Sequence, residues 1–80
     1  MNSPEPLELD VRPLFAARKP PLPIILAAVN RLQPGQALRL IAPIEPRPLY
    51  DLLGQRGYTA TPRAREDGAW EILFAPQAGG

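Results

Sequence analysis

The chain has 80 residues and a net charge of +1, from nine basic and eight acidic side chains, and it contains neither Cys nor His. It therefore has no disulfide, no thiolate nucleophile, no imidazole base and none of the usual soft metal ligands, so we expect no catalytic residues, no metal site and no cofactor. The balanced charge argues against nucleic acid as a partner, and no apolar run approaches the roughly 20 residues of a membrane span. One small cytoplasmic domain is expected.

The first third of the chain predicts a strand, a loop and a helix. Residues 1–6 are expected to be a flexible lead, and the alternation of apolar and polar residues in 7–11 predicts a strand. Residues 12–21 show no period and contain three prolines, which predicts a loop. A helix is predicted from residue 22, because apolar side chains then recur at helical spacing. These side chains are Leu22, Ile25, Leu26, Val29 and Leu32.

The middle of the chain predicts a second strand and a second helix. The Gln-Pro-Gly-Gln sequence of 33–36 ends the first helix and turns the chain, and residues 37–42 predict a strand. A helix starting at residue 45 or 46 is expected to end at Arg56, with Gly57 as the residue that terminates it. Its buried side is predicted to consist of Leu49, Leu52 and Leu53.

The last third predicts a β-hairpin. Residues 58–65 form the third predicted strand, in which Pro62 requires either an edge position or a bulge. Asp67-Gly68 is a hairpin turn sequence, and residues 69–74 predict the fourth strand. Its buried face is expected to carry Trp70, Ile72 and Phe74, and residues 75–80 are expected to be a flexible tail.

The order βαβαββ predicts an α+β domain over residues 7–74. We expect a two-layer α/β sandwich, in which a mixed four-stranded sheet carries two helices on one face. Ile41 and Leu73 fall on the alternate positions of their strands. They are therefore predicted to form an apolar patch on the open face of the sheet, where a protein partner or a second copy would bind.

Several short motifs, in this order and spacing, resemble those of the TusA/SirA-like sulfur-carrier fold. They correspond to its Leu-Asp-x-Arg opening at 9–12, its Cys-Pro-x-Pro helix start at 20–23, its Pro-Gly-Glu turn at 34–36, its Asp-Pro at 45–46 and its strand-opening Gly at 57. The resemblance implies the same fold. It does not imply sulfur transfer, because Pro20 stands at the position of the reactive Cys and has no nucleophile.

A closer resemblance is to an uncharacterised sister family that has this fold and lacks the Cys. The shared features are Leu-Asp-Val-Arg at 9–12, Pro-Arg-Pro-Leu at 46–49 and Gly-x-Trp at 68–70. Domains of that family often carry Asp-His-Asp-Pro before the second helix, whereas this chain has Ile44 at the position of the His. The resemblance implies a domain found alone or beside iron-binding or redox modules.

An anion site is one hypothesis for the end of the fold where both helices begin. Arg12 and Arg47 are expected there, together with Arg18 and Lys19, and helix N-termini favour anions. The alternative is that Arg12 pairs with Asp10 or Glu45 and that Arg47 is solvated. For each arginine taken singly, we favour this alternative.

Three functions follow from these observations. The first is a non-catalytic protein-interaction or regulatory module in a redox- or sulfur-related pathway, which acts through the patch at Ile41 and Leu73. The second is a domain that binds a small anion or small molecule through Arg12 and Arg47. An enzyme that uses only carboxylates, such as Asp10 and Glu45, ranks last because no convincing pair is visible in the sequence.

Overall fold

The strands and helices follow one another in the order βααβαββ. The computed structural model describes residues 4–77. Its elements are β1 (Leu7–Asp10), α1 (Arg12–Ala16), α2 (Leu22–Asn30), β2 (Leu38–Ala42), α3 (Arg47–Gly54), β3 (Tyr58–Ala64) and β4 (Trp70–Pro76). None of the helices in these residues has the length and apolar character needed to cross a bilayer.

The four strands form one mixed sheet in the order β1-β2-β4-β3. β1 and β2 are parallel, whereas β4 is antiparallel to both of its neighbours, β2 and β3. This confirms the predicted mixed four-stranded sheet. Pro62 lies in the edge strand β3 opposite Ile72, and the pairing continues without interruption on both sides of it. The edge position, rather than a bulge, therefore accommodates this proline.

The core lies between the helices and one face of the sheet. The alternation predicted for the strands places Leu38 and Leu40 of β2 in this core together with Ile72 and Phe74 of β4, all at most 1% exposed. The helices contribute their buried side chains to the same cluster. These are Ile25, Ala28 and Val29 of α2, and Leu49 and Leu53 of α3. The predicted two-layer arrangement is therefore confirmed.

The predicted apolar stripe of α2 is wrong at its first residue. Leu22 is 41% exposed, although Ile25 and Val29 are buried as expected. Leu22 is the first residue of the helix and lies at its free end, one turn before the buried Ile25. Helical spacing predicts the side of the helix that faces the core, but it does not predict how far along the axis the core extends.

The segment predicted as a loop contains an additional helix, α1, so residues 4–77 contain three helices rather than the two predicted. Pro13 is in its first turn, where a missing N–H costs nothing. The helix has five residues, which is too short for a 3.6-residue period to be visible in the sequence. Leu14 and Phe15 nevertheless pack against the core and close its end beside α2.

The ends of the domain differ slightly from the prediction. β4 continues through Ala75 and Pro76, which pair with Thr59 and Tyr58, so this part of the predicted tail is strand. Gln77 has no regular structure, but its N–H donates to the Gly57 carbonyl at 2.8 Å. Residues 78–80 of the predicted tail and 1–3 of the predicted lead lie outside the described residues. The described part of the lead, residues 4–6, is without regular structure.

Candidate functional site

The helix-free face of the sheet carries a continuous chain of ion pairs. Strand alternation places charged residues from all four strands and the β3–β4 turn on this face. The chain runs through Glu8, Arg39, Glu71, Arg65, Asp67, Arg12 and Asp10, and Arg63 branches from Glu71. The shortest contact, between Arg12 Nη2 and Asp10 Oδ2, is 2.8 Å and the longest, between Arg39 Nη1 and Glu8 Oε1, is 3.8 Å. This face is therefore a charged surface with equal numbers of cations and anions.

The predicted apolar patch is not exposed on this face. Ile41 lies outside the core cluster, as expected for the helix-free side, yet it is only 4% exposed. Its neighbours across the sheet are Asp10 and Glu71. A run of ion pairs through Arg12, Asp67 and Arg65 connects these two carboxylates. Arginine side chains cover apolar surface with their aliphatic stems. Leu73 is half-buried. The expected exposure of Ile41 is therefore wrong, whereas partner binding at Ile41 and Leu73 stays a prediction.

The structure also separates the arginines of the predicted anion site. Arg12 and Arg47 both follow the carboxyl ends of the parallel strands β1 and β2, as expected. Arg12, however, turns to the helix-free face, where it donates to Asp10 at 2.8–3.2 Å and to Asp67 at 3.2 Å. Arg47 remains 79% exposed on the helix side, with its Nε 3.1 Å from Glu45 Oε1. Arg12 is therefore paired with Asp10, as the alternative to an anion site predicted.

The helix N-termini offer few N–H groups to an anion. In α3, Arg47 N–H donates to the Glu45 carbonyl at 3.0 Å, Pro48 has no N–H, and Leu49 N–H donates to the Pro46 carbonyl at 2.9 Å. Helix α2 begins with Pro21 as its N-cap and has Pro23 in its first turn, so these positions provide no donor either. The prolines that mark the helix starts thus remove the groups that an anion would use.

An apolar pocket of about 260 Å³ lies at this same end of the fold, on the helix side of the sheet. Its floor is formed by core residues at the carboxyl ends of the two parallel strands, where open α/β sheets commonly bind ligands. The walls come from α1, from the starts of α2 and α3 and from the segment before α3. The lining residues include Val11, Phe15, Pro21, Ile25, Leu40 and Ala42, and every residue that lines the pocket is apolar.

Two large apolar side chains stand exposed at the mouth of this pocket. Leu22 is 41% exposed and Ile44 is 57% exposed, and both line the pocket. Ile24 is also exposed, by 45%, but it does not line the pocket and is not part of its rim. Exposed apolar groups collected at one place mark contact surfaces more often than groups scattered singly do. We take the pocket and this rim as the candidate site.

Charged side chains frame the pocket without entering it. Arg18 and Lys19 are exposed and lie in the turn between the lining residues Phe15 and Pro21. Arg47 lies between two lining prolines and is paired with Glu45. Within residues 4–77 no group of three acidic side chains is arranged to hold a metal ion. The pocket therefore offers apolar contacts to a ligand, and basic side chains lie near its edge.

Tyr50 holds the segment before α3 in place through a hydrogen bond to Glu45. Its hydroxyl donates to Glu45 Oε2 at 3.1 Å, and its ring packs against Phe74 with centroids 6.3 Å apart. Burial, reinforced by the hydrogen bond to Glu45, raises the pKa of Tyr50 to about 12. The tyrosine therefore stays protonated at neutral pH and serves as a donor that positions Glu45 and, through it, Arg47.

The comparison with protein families is consistent with this architecture. The sequence model of one family, described as uncharacterised conserved protein (DUF2249), matches residues 8–76. The chain belongs to this family. The match confirms the predicted membership of an uncharacterised family and covers the motifs at 9–12, 46–49 and 68–70 of this DUF2249 domain. Nothing among curated proteins or solved structures matches the chain.

The pocket of the DUF2249 domain was not among the predicted sites. Its lining residues come from positions 11–49, in several separate segments, and no spacing rule connects them. One sequence signal did exist. Proline occupies the N-cap position of both α2 and α3, where capping residues such as Ser, Thr, Asp or Asn are usual. Ile44, an exposed apolar residue just before α3, was the most direct indication of an apolar site.

The ion-pair network of the DUF2249 domain leads to a prediction about pH. The hydrogen bond from Arg12 lowers the pKa of Asp10 below its ordinary value of 3.8, and the backbone N–H of Ala69 lowers that of Asp67. A carboxyl group whose pKa is depressed by folding stabilises the folded state above its unfolded pKa, and this contribution is lost as the pH falls through the folded pKa. The free energy of unfolding should therefore decrease below about pH 4.

Urea denaturation at neutral pH and at pH values below 4 measures this decrease. The matched variant Asp10→Asn removes one of the two titrating groups, so its stability should fall less steeply with decreasing pH. An equally steep fall in Asp10→Asn would show that the pKa of Asp10 does not change on folding.

Proposed function

We propose that this domain is a non-catalytic binding module that holds an apolar group of a protein partner in the pocket between the helix N-termini. The observation that carries the proposal is the combination of a wholly apolar pocket with the exposed Leu22 and Ile44 at its mouth. Exposed apolar surface of this kind is stabilised when a partner covers it.

The size of the pocket supports an occupant the size of one side chain. A dry apolar cavity of about 150 Å³ accommodates a benzene molecule, and this pocket has about 260 Å³. Pockets that bury a complete drug-sized ligand range from about 300 to 1,000 Å³. A single large aliphatic or aromatic side chain, inserted from a partner whose surface then covers Leu22 and Ile44, fits this volume.

The lining supports a role in binding rather than in catalysis. General acid–base or nucleophilic catalysis needs a polar side chain within hydrogen-bonding reach of the substrate. Every residue that lines the pocket is apolar, and the nearest hydrogen-bonded side chains, Glu45 and Tyr50, are committed to each other and to Arg47.

The proposal includes a relationship to the TusA/SirA-like sulfur carriers and a cytoplasmic role in a sulfur- or redox-related pathway. The supporting features are the order of the strands and helices and the motif at 20–23, which resembles the helix start of the carriers. Pro21 and Leu22 of that motif line the pocket. In this interpretation, the place that holds a reactive sulfur in the carriers has become an apolar docking site.

A titration with benzene, followed by the backbone amide NMR signals, tests the pocket directly. We expect saturable shifts at lining residues such as Val11, Ile25 and Leu40, with little change on β3. Ala42→Leu should fill the pocket and abolish these shifts, because Ala42 lies in the pocket wall and is 1% exposed. Ala64→Leu, the same change at an exposed position of β3, is the matched control.

Two outcomes would overturn the proposal. One is the absence of saturable shifts at the lining residues of the unmodified domain. The other is undiminished benzene binding by a folded Ala42→Leu variant. If Ala42→Leu does not fold, Ile44→Ser replaces it, since Ile44 is exposed and its substitution should weaken binding without affecting the fold.

A further inference from the structure

We infer that the partner segment that occupies the pocket is acidic, with one large apolar anchor side chain flanked by carboxylates. This inference rests on the proposed function and adds to it the chemistry of the partner. The anchor follows from the apolar lining. The acidic flanks follow from the charges around the mouth of the pocket.

Five of the nine basic side chains are engaged in ion pairs, and Arg47 beside the pocket is one of them; Arg18, Lys19, Arg31 and Arg56 form none among residues 4–77. Arg12, Arg39, Arg63 and Arg65 are all engaged in the network on the helix-free face. Among residues 4–77, Arg18 and Lys19 take part in no ion pair, and both are exposed in the turn that joins two lining residues. This turn therefore presents two uncompensated positive charges, which attract acidic groups of a partner.

The backbone at Arg18 provides a second, independent observation. Residue 18 is the only described residue other than glycine with a positive φ, at 57°. Its N–H donates to the Phe15 carbonyl at 3.0 Å, and the N–H of Lys19 donates to the Leu14 carbonyl at 2.9 Å. This is the Schellman ending of a helix, in which residue 18 is at the position normally occupied by glycine.

An arginine at that position is unfavourable for the fold, because the left-handed conformation crowds a Cβ atom that glycine lacks. The side chain of Arg18 forms no ion pair or side-chain hydrogen bond within residues 4–77 that would offset this strain. The presence of arginine at this strained position is accounted for if its side chain binds an acidic group of a partner.

The exposed rim favours a protein segment over a free apolar anion. A small molecule held in about 260 Å³ would leave Leu22 and Ile44 in contact with water, whereas the backbone and neighbouring residues of a bound segment would cover them. Carboxylates beside the anchor can then pair with Arg18 and Lys19, which lie in the turn between the lining residues Phe15 and Pro21, and can add to the contact that exposed Arg47 makes with Glu45.

Fluorescence anisotropy with short labelled peptides tests the inference. The probe is a glutamate-rich peptide with one central phenylalanine. The comparison peptides replace the phenylalanine with serine or all of the glutamates with lysines. We expect saturable binding of the first peptide only, and an affinity that falls as salt is raised. The double variant Arg18→Ser/Lys19→Ser should weaken binding about tenfold. Arg56→Ser, an exposed arginine beyond the far end of α3, should not.

Arg18→Gly separates binding from folding. This variant should raise the midpoint of thermal unfolding, because glycine relieves the left-handed strain, and should at the same time weaken binding of the acidic peptide. If the variant is more stable and yet binds the peptide more weakly, unfolding cannot be the cause of the weaker binding. An Arg18→Gly variant that binds the peptide as well as the unmodified domain would overturn the role of Arg18.

The outcomes also distinguish this inference from the proposed function. Equal binding of the lysine-containing peptide, or no binding of the acidic peptide by a domain that still binds benzene, would overturn the acidic partner and leave the apolar pocket in place. Failure of both the peptide and benzene to bind would overturn the proposed function as well.

Discussion

Phe74→Ala is expected to lower the free energy of unfolding by about 3–5 kcal/mol, the largest effect of any single substitution considered for this domain. Phe74 is 1% exposed, lies in the central strand β4 between Leu38 and Ala60, and packs against the ring of Tyr50. Truncation removes the apolar contacts and leaves a cavity between the sheet and α3. A domain of this size has a total stability of about 4–12 kcal/mol, so the loss is a large part of it.

Urea denaturation followed by far-ultraviolet circular dichroism measures this loss. The matched control is Leu73→Ala, which truncates the neighbouring residue on the opposite face of the same strand. Leu73 is half-buried, so its truncation should cost about 1 kcal/mol. Equal losses for the two variants would contradict the assignment of Phe74, and not Leu73, to the core face.

The strands were the most predictable part of this fold, because a period of two marks the core face of each one, except in the second half of β2, where three consecutive residues are buried. Leu38 and Leu40 alternate with Arg39, and Ile72 and Phe74 alternate with polar or half-buried residues, so the core face is readable from the sequence alone. Pro62 was also informative, since it restricted the strand to an edge position or a bulge. The uninterrupted pairing of β3 with β4 was needed to decide for the edge.

Helix α1 could not be predicted in the same way. Its five residues give one apolar pair, Leu14 and Phe15, and they lie between prolines that usually indicate a loop. Its C-terminal signal was also hidden, because the left-handed residue that ends the helix is Arg18 rather than glycine. A short helix with an atypical ending leaves little trace in a single sequence, and its presence follows from the packing of Leu14 and Phe15 against the core.

The charges illustrate a different limit of sequence analysis. Asp10, Arg39 and Glu71 are spread through the chain, and the balanced net charge indicated nothing about which of these side chains meet. The strand order β1-β2-β4-β3 places them on one face of the sheet, where they form one connected network. Strand alternation predicts which face each residue occupies, but only the order and register of the strands determine which charges meet. The burial of Ile41 beneath this network depends on the same information.

Ile41→Ala tests that burial and is expected to lower the free energy of unfolding by about 2–4 kcal/mol. Ile41 is 4% exposed in the middle of the sheet, between Asp10 of β1 and Glu71 of β4. Truncation to Ala removes apolar contacts with the aliphatic parts of the side chains around it, and the ion pairs above restrict how far the site can collapse. If Ile41 belonged instead to an exposed patch for a partner, the same change would alter stability by no more than about 0.5 kcal/mol.

The matched control for this prediction is Ile24→Ala. It makes the same substitution at a position on α2 that is 45% exposed, so its effect should remain near about 0.5 kcal/mol. Chemical denaturation of both variants at neutral pH provides the comparison, and binding of the acidic peptide provides a second one. Because Ile41 lies on the face opposite the pocket, a folded Ile41→Ala domain should bind the peptide with unchanged affinity. A small effect on stability combined with weaker peptide binding would show that Ile41 is exposed and contacts the peptide. That result would contradict both the burial of Ile41 under the ion-pair network and the location of the binding site at the pocket.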